Sequence, residues 1–535
     1  MPFILIPIIL KNSMIKNLKI QNYSQVYLLV ILIFALLVRV IFLGTIPNGF
    51  FTDEASYAYD SYSILHTLRD QYGKFLPWYF KSANDYREGL YMYLMIPFIK
   101  IFGLNPFGAR ITSAVIGTLT VFVLYHLAKE IFNQKVGLLS ALFLAITPWH
   151  IHFSRITFRA NLVPLLFCLS LLFFVKSFKE PKWLILSSPL FGISIYTYNS
   201  ARVFVPLFLL GLVIIYRKHL WNNKQISIIS LLLFLIIFIP QLIYQISPEG
   251  MARADAVGLQ SNLGEILKNY WSYFSPEFLF IKGDPVPRHT IDKMGHLYSF
   301  QIILLILGII GLITHQVQTK AILFLWLFLY PIPAALVSPS SAVRTLAGIP
   351  VFAMISAYGI TTLLDWIKGK LKATLIFAII LIIFANITIY LHRYVTEYPR
   401  WNNIVWLTTL DKVIHYADSS PYQCLIYSSN AYGKYAYIMI PFYTKFPPAE
   451  YQKLGIDVVE DKLDMGRWKV VDLEKSANLN TDCLYLLYRE RNVPREQDKD
   501  TRILEQKGYT EKIIYSPTDL NNYSYYRLVE IEKKN

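Results

Sequence analysis

Gly44-Thr-Ile-Pro-Asn-Gly-Phe-Phe-Thr-Asp-Glu-Ala55 follows directly on an apolar run, Tyr27–Leu43, and this junction decides how the chain is read. The run is long enough to cross a bilayer. Pro47-Asn48-Gly49 signals a turn. Thr52 is expected to cap a helix beginning at Asp53. Asp53 and Glu54 then stand in its first turn, just beyond the span. Two carboxylates there either complement the helix dipole or form an acid pair at the membrane surface. In the second case one carboxylate takes a proton from an attacking hydroxyl. Adjacent side chains point about 100° apart on a helix, so one can act while the other orients or binds.

Further long apolar stretches follow at 108–128, 136–153, 161–178, 183–199, 203–216, 225–246, 298–314, 321–338, 345–367 and 373–391. With the first they predict a polytopic α-helical membrane protein of about 11 transmembrane helices. Composition agrees: 55% of the 535 residues are hydrophobic and only 16% charged, against about 25% charged in soluble domains. Disorder is excluded, and an ordinary cytosolic enzyme is not expected. Arg39, near the far end of the first span, is expected to snorkel to the interface.

The net charge of +16 is read first as topology, because Lys and Arg concentrate in cytoplasmic turns. Leu90–Phe102 is short for a span and holds Pro97 and Lys100, which suits an interfacial helix. If it does not cross, the basic turns share one side: Lys11/Lys16/Lys19, Lys129/Lys135, Lys176/Lys179/Lys182, Arg217/Lys218/Lys224, Lys320 and Lys368/Lys370/Lys372. Residues 1–23 are then a cytoplasmic N-terminus and 24–392 a membrane domain. Loops 45–107 and 247–297 and the tail 393–535 lie outside. Met1–Leu10 precedes its basic residues, the wrong order for a cleaved signal, and Met14 is an alternative start.

The tail reads as a small extracytoplasmic α/β domain, with strands expected at Cys424–Ser428, Tyr435–Pro441, Cys483–Tyr488 and Ser524–Ile531. Cys424 and Cys483 can pair if the tail is outside. Cys168 sits in an apolar run as a packing or lipid-facing residue. The chain has no CxxC pair, P-loop, GxGxxG or HExxH, so no nucleotide site is expected.

The remaining polar candidates gather at the outer ends of the spans. Gly103-Leu-Asn-Pro-Phe-Gly-Ala-Arg110 opens the second span, and Arg110 reads most plainly as an interface anchor. Trp149-His-Ile-His-Phe-Ser-Arg-Ile-Thr-Phe-Arg-Ala-Asn161 closes the third and carries Arg155 and Arg159. His150 and His152 are a weak metal signal without a third ligand. Arg288 and His289 lie in the second large loop, Arg344 in the turn 338–344 and Lys81 in the first loop. Arg344 is either an anchor or a fork for a lipid phosphate.

The acid pair after the first span, the interfacial helix, the Gly103–Arg110 span opening, the Ser154-Arg155 turn and Arg344 before Gly348-Ile349-Pro350 together resemble glycosyltransferase family 39. That family is the protein mannosyltransferase and lipid A aminoarabinose transferase group, with the type C membrane glycosyltransferase fold. The resemblance covers residues 24–392 and is strongest over 45–180. It implies a polyprenyl-phosphate sugar donor, Asp53 as catalytic base with Glu54 beside it, and Arg110 as support. Relatives often carry an Asp shortly after the Ser-Arg turn; Arg159-Ala160-Asn161 stands there without an acid. No cofactor is called for, and a divalent metal stays open.

The expected chemistry is one inverting displacement at the anomeric carbon. The acceptor hydroxyl attacks, Asp53 takes its proton and the lipid phosphate leaves. The phosphate needs cations: Arg344, Arg288, His289 and Lys81 are the candidates, with Arg110, Arg155 and Arg159 supporting. The acceptor is a protein, lipid or polysaccharide, and nucleic acid is no partner. The competing class is a polytopic membrane transporter, which places ionisable groups at mid-membrane; the span centres here are nearly free of them. A third reading, a sensor or scaffold presenting its tail, leaves the acid pair unexplained.

Overall fold

A helix lies on each of the eleven expected stretches; Pro148 and Pro331 fall at breaks, while Pro189, Pro206 and Pro240 lie inside continuous helices. The computed structural model describes residues 5–82, 85–317, 319–431, 435–455 and 463–534, with the side chains of 5–22 and 253–257 outside the description. Lys11, Lys16 and Lys19 therefore lie outside the described side chains. Among the described residues, six helices are long and apolar enough to cross a membrane: Tyr23–Val40, Pro106–Ile131, Arg159–Lys176, Lys224–Gln245, Val343–Trp366 and Lys370–Trp401. Leu90–Phe102, Gln134–Ile146, Ala201–Ile215, Gln301–Thr314 and Lys320–Ala335 are shorter apolar helices. The stretch 136–153 is not one rod. Thr147 is extended (φ −60°, ψ 123°) before Pro148, as a residue preceding proline prefers, and a second helix, Pro148–Phe153, restarts there.

Arg39 does not snorkel. Its side chain is fully buried. It donates to the carbonyls of Ala35 at 2.8 Å and Ala145 at 3.2 Å, and to His150 Nδ1 at 2.8 Å. The third helix ends just there and offers a carbonyl with no partner inside the helix. Gly117 makes room for this crossing: a Cβ on it would fall 2.1 Å from Ser154 Oγ and 3.1 Å from Arg39 Nε.

The tail holds a six-stranded mixed sheet. A two-stranded hairpin in the first loop takes the labels β1 (Tyr79–Ser82) and β2 (Asp85–Glu88). The tail strands are β3 (Leu425–Ser428), β4 (Asp464–Met465), β5 (Trp468–Val471), β6 (Leu484–Tyr488), β7 (Tyr509–Tyr515) and β8 (Tyr526–Lys533), in the order β4-β5-β3-β6-β8-β7. β3 runs parallel to both its neighbours. Three of the expected strands are found, within a residue or two of their expected limits. Tyr435–Pro441 is instead part of a helix, Ala436–Thr444, whose residues Ala436 to Tyr443 are all buried. A short continuous apolar run has no period to tell strand from helix.

This tail helix packs on the first-loop helix Thr52–Thr67, so loop and tail share one apolar core. Phe50 stacks on Phe442 at 4.6 Å, Tyr59 OH donates to the Phe446 carbonyl at 2.8 Å, and Gln452 Nε2 donates to Ser63 and Thr67.

Cys424 and Cys483 are joined in a disulfide, and Cys168 is a buried free thiol. The bridge precedes the paired residues Leu425 and Leu484 and staples β3 to β6. Closing a loop of 59 residues stabilises a fold by about 2–4 kcal/mol, so Cys483→Ser is expected to cost the tail that much. Denatured protein taken from cells without reductant should accept a maleimide label only at Cys168; reduced protein should accept it at all 3 cysteines. Equal labelling with and without reductant would remove the bridge.

Candidate active site

The two adjacent acids have separate partners. Glu54 is 2% exposed. Arg110 holds it in a fork, Nε to Oε1 and Nη2 to Oε2, both at 2.9 Å. Glu54 also accepts from the Thr157 N–H at 2.8 Å and the Phe51 N–H at 3.2 Å. The helix therefore begins at Thr52, not Asp53, and Glu54 reaches back to close it where a Thr52 cap was expected. Arg110 is fully buried, which corrects its reading as an interface anchor. It also donates to the carbonyls of Leu43 (3.3 Å), Pro47 (2.9 Å) and Gly49 (2.6 Å). Gly49 allows the close approach of the tail: its φ is +153°, and a Cβ would meet the Trp406 carbonyl at 2.1 Å.

Asp53 turns the other way. Its Oδ1 accepts from Arg87 Nη2 at 2.8 Å, and its side chain remains 26% exposed. The Arg87 guanidinium lies 5.0 Å over the Tyr57 ring. Burial alone would lower the Arg87 pKa; the Asp53 carboxylate outweighs it and holds the guanidinium firmly charged. Successive residues of a strand face opposite sides, so Glu88, next on β2, points away from Asp53. It is fully buried and pairs with Arg159 and with Arg202, the latter at 2.7 Å. Arg159 lies 5.1 Å over Tyr198. Arg87, Glu88 and Arg202 are members to which the sequence reading gave no role; Arg87 and Glu88 stand in the polar stretch Asn84–Gly89, where nothing in the spacing marks them out.

Arg202 and Arg344 line one cavity of about 190 Å³, together with Tyr198, Asn199 and Ser200. Arg344 Nη1 donates to Ser338 Oγ at 2.8 Å. Asp284 ties the second large loop to this turn by accepting from the Ala342 N–H at 2.6 Å and from His289 Nδ1 at 3.1 Å. Burial lowers the His289 pKa despite Asp284. Its described partner is thus the Asp284 carboxylate. The Arg288 guanidinium sits 3.9 Å over the Phe51 ring, two residues from Asp53, while its carbonyl accepts from His152 Nε2 at 2.6 Å.

The other expected residues play different parts. Arg155 donates to the carbonyls of Val38 (2.6 Å) and Ile46 (3.3 Å), tying the first span's end to the turn after the third. Lys81 is exposed and lies 5.2 Å over Tyr72; its described contacts do not join it to Asp53 or Arg344. Among the described residues no three His, Cys, Asp or Glu side chains are grouped to hold a metal. A second cavity of about 580 Å³ adjoins Gly49 between first loop and tail, with Asp411, Lys412, His415 and Lys445 on its wall.

Residues 90–244 match the family model described as dolichyl-phosphate-mannose-protein mannosyltransferase. No curated protein sequence matches the chain. Among solved structures it is similar to ArnT from Cupriavidus metallidurans bound to undecaprenyl phosphate. There the identity is 12% and the TM-score 0.57, over 94% of this chain and 97% of that one. It is also similar to the oligosaccharyltransferase AglB from Archaeoglobus fulgidus in complex with an inhibitory peptide and a dolichol-phosphate. That likeness has 12% identity and a TM-score of 0.50, over 95% of this chain and 74% of that one. At such identities the likeness is one of fold. The chain carries the helical fold of the type C membrane glycosyltransferases, and the part of it that holds Arg110, Arg155, Arg159 and Arg202 matches the mannosyltransferase family model.

Proposed function

We propose that this chain is an integral-membrane glycosyltransferase that moves a sugar from a polyprenyl-phosphate donor to an acceptor hydroxyl, with inversion. The observation that carries this reading is the division of labour between the two acids. Glu54 is consumed by four hydrogen bonds, while Asp53 stays partly open beside Arg87 and in the same loop as the buried Glu88 that binds Arg159 and Arg202. Asp53 is the base. Arg344 and Arg202 meet the leaving phosphate in the cavity they share, with Arg288 and Arg87 nearer the sugar. Phosphate needs charge stabilisation more than protonation, which a cluster of guanidinium groups supplies. Likeness to proteins solved with undecaprenyl phosphate and dolichol-phosphate supports the lipid donor. The Cys424–Cys483 bridge and the basic turns support a tail and active site on the extracytoplasmic face and a cytoplasmic N-terminus. The acceptor is a protein, lipid or polysaccharide. The test is mass spectrometry of glycans and glycolipids from cells carrying the wild type or Asp53→Asn: a glycoform lost only in the variant identifies sugar and acceptor together.

Arg344 tests the donor side. Arg344→Ala is expected to raise the donor KM by about tenfold or more, the loss of a charge-assisted contact. Arg344→Lys should rescue it in part, because a point charge replaces a fork. Wild-type kinetics in both variants would return Arg344 to the role of anchor.

A further inference from the structure

A larger cavity lies away from this site. Helix Ala201–Ile215 begins beside Arg202 and ends about 20 Å away by its rise per residue. At that far end a cavity of about 650 Å³ is lined by Ile214, Ile215, Tyr216, Arg217, Lys218 and Thr319, among others. Basic residues at such a turn are expected from topology alone. The structure adds three features that topology does not require. Thr319 is 7% exposed, and its hydroxyl has no hydrogen-bond partner. It precedes the ten-residue helix Lys320–Leu329 without capping it, so the positive end of that helix also faces this region. The Tyr216 hydroxyl is buried and equally unpartnered. Buried hydroxyls left without partners carry an uncompensated desolvation cost. Arg217 and Lys218 are exposed, and neither takes part in any ion pair recorded among the described residues.

Two hydroxyl donors, a guanidinium fork, an ammonium and a helix N-terminus together suit a phosphate oxyanion. Ile214 and Ile215, 57% and 41% exposed, supply an apolar flank at the same rim. That combination is amphiphilic. We propose that this pocket binds the phosphate-bearing headgroup of an anionic membrane lipid, with Ile214 and Ile215 against its acyl chains. The proposal is independent of what the chain transfers.

The test uses the full chain in nanodiscs and native mass spectrometry, with phosphatidylglycerol as the anionic probe, phosphatidylcholine as the neutral one and inorganic phosphate as the soluble one. The wild type is expected to retain phosphatidylglycerol in preference to phosphatidylcholine. Arg217→Gln with Lys218→Gln should weaken that retention by roughly tenfold or more, and Thr319→Val by a smaller factor. Lys224→Gln, in the same basic turn but off the pocket wall, should leave it unchanged. Four results overturn the proposal: equal retention of the two lipids, no change in the double variant, an equal loss in Lys224→Gln (bulk surface charge), or full displacement of the lipid by millimolar inorganic phosphate (a soluble-anion site). Both paired residues are exposed, so folding is not at issue in the double variant; Thr319→Val is checked by its thermal unfolding.

Discussion

Asp53→Asn is expected to lower sugar transfer by about 10²–10⁴-fold while the protein inserts, folds and melts as the wild type does. The side chain is 26% exposed and has one described ion pair, to Arg87. An amide of the same shape still accepts from Arg87 through its oxygen. What it loses is the ability to take a proton from the acceptor hydroxyl. Donor binding should largely survive, because Arg202 and Arg344 line a separate cavity. The signature is therefore a fall in kcat with little change in donor KM or in melting temperature. Arg87→Lys separates orientation from proton transfer. It keeps a cation beside Asp53 and loses the planar fork, so its loss should be smaller and should leave the pH dependence of kcat in place. If Asp53→Asn keeps full transfer activity, Asp53 serves only the helix terminus and the mechanism fails.

The membrane helices were legible because bilayer burial writes itself into long apolar runs. All eleven stretches carry helix, and Leu90–Phe102 is a helix of the length expected. Their breaks were less legible, since Pro148 inside 136–153 could have kinked a helix as easily as ended one. Arg39 was misread for a general reason: a sequence shows a charge near a span's end but not the carbonyls of another helix that face it. The same gap hid the candidate-site cluster. Glu88 and Arg202 are 114 residues apart in sequence, and no spacing rule joins them. Asp53 and Glu54 were legible as a pair because they are contiguous and follow a span. What tells them apart in the structure is Arg110, which lies 56 residues downstream of Glu54 and takes it in a fork. The stretch Arg159-Ala160-Asn161, which holds no acid of its own, meets one from elsewhere: Arg159 pairs with Glu88 of the first-loop hairpin.

The Glu54–Arg110 pair should show the opposite pattern to Asp53, with stability lost first and activity lost with it. Arg110 is fully buried and Glu54 2% exposed. Together they tie the end of the first span (Leu43), the Pro47–Gly49 turn and the turn at Thr157 to one point. Removing one member of a buried pair leaves the other charge uncompensated, at a cost of about 3–5 kcal/mol. Arg110→Met strips Glu54 of its cation and leaves three carbonyls without their donor, so it should be the most damaging single change. Glu54→Gln keeps one acceptor oxygen and the shape of the side chain, and should cost less. Combining Glu54→Gln with Arg110→Met removes both charges, so the double variant should be more stable than the sum of the singles implies. Thermal unfolding in detergent and protease sensitivity of the 44–54 segment give the readout without any substrate. A melting temperature unchanged in Arg110→Met would show that the fork is dispensable. Glu54 would then compete with Asp53 for the role of base, and the ranking of the two acids by transfer activity would have to decide between them.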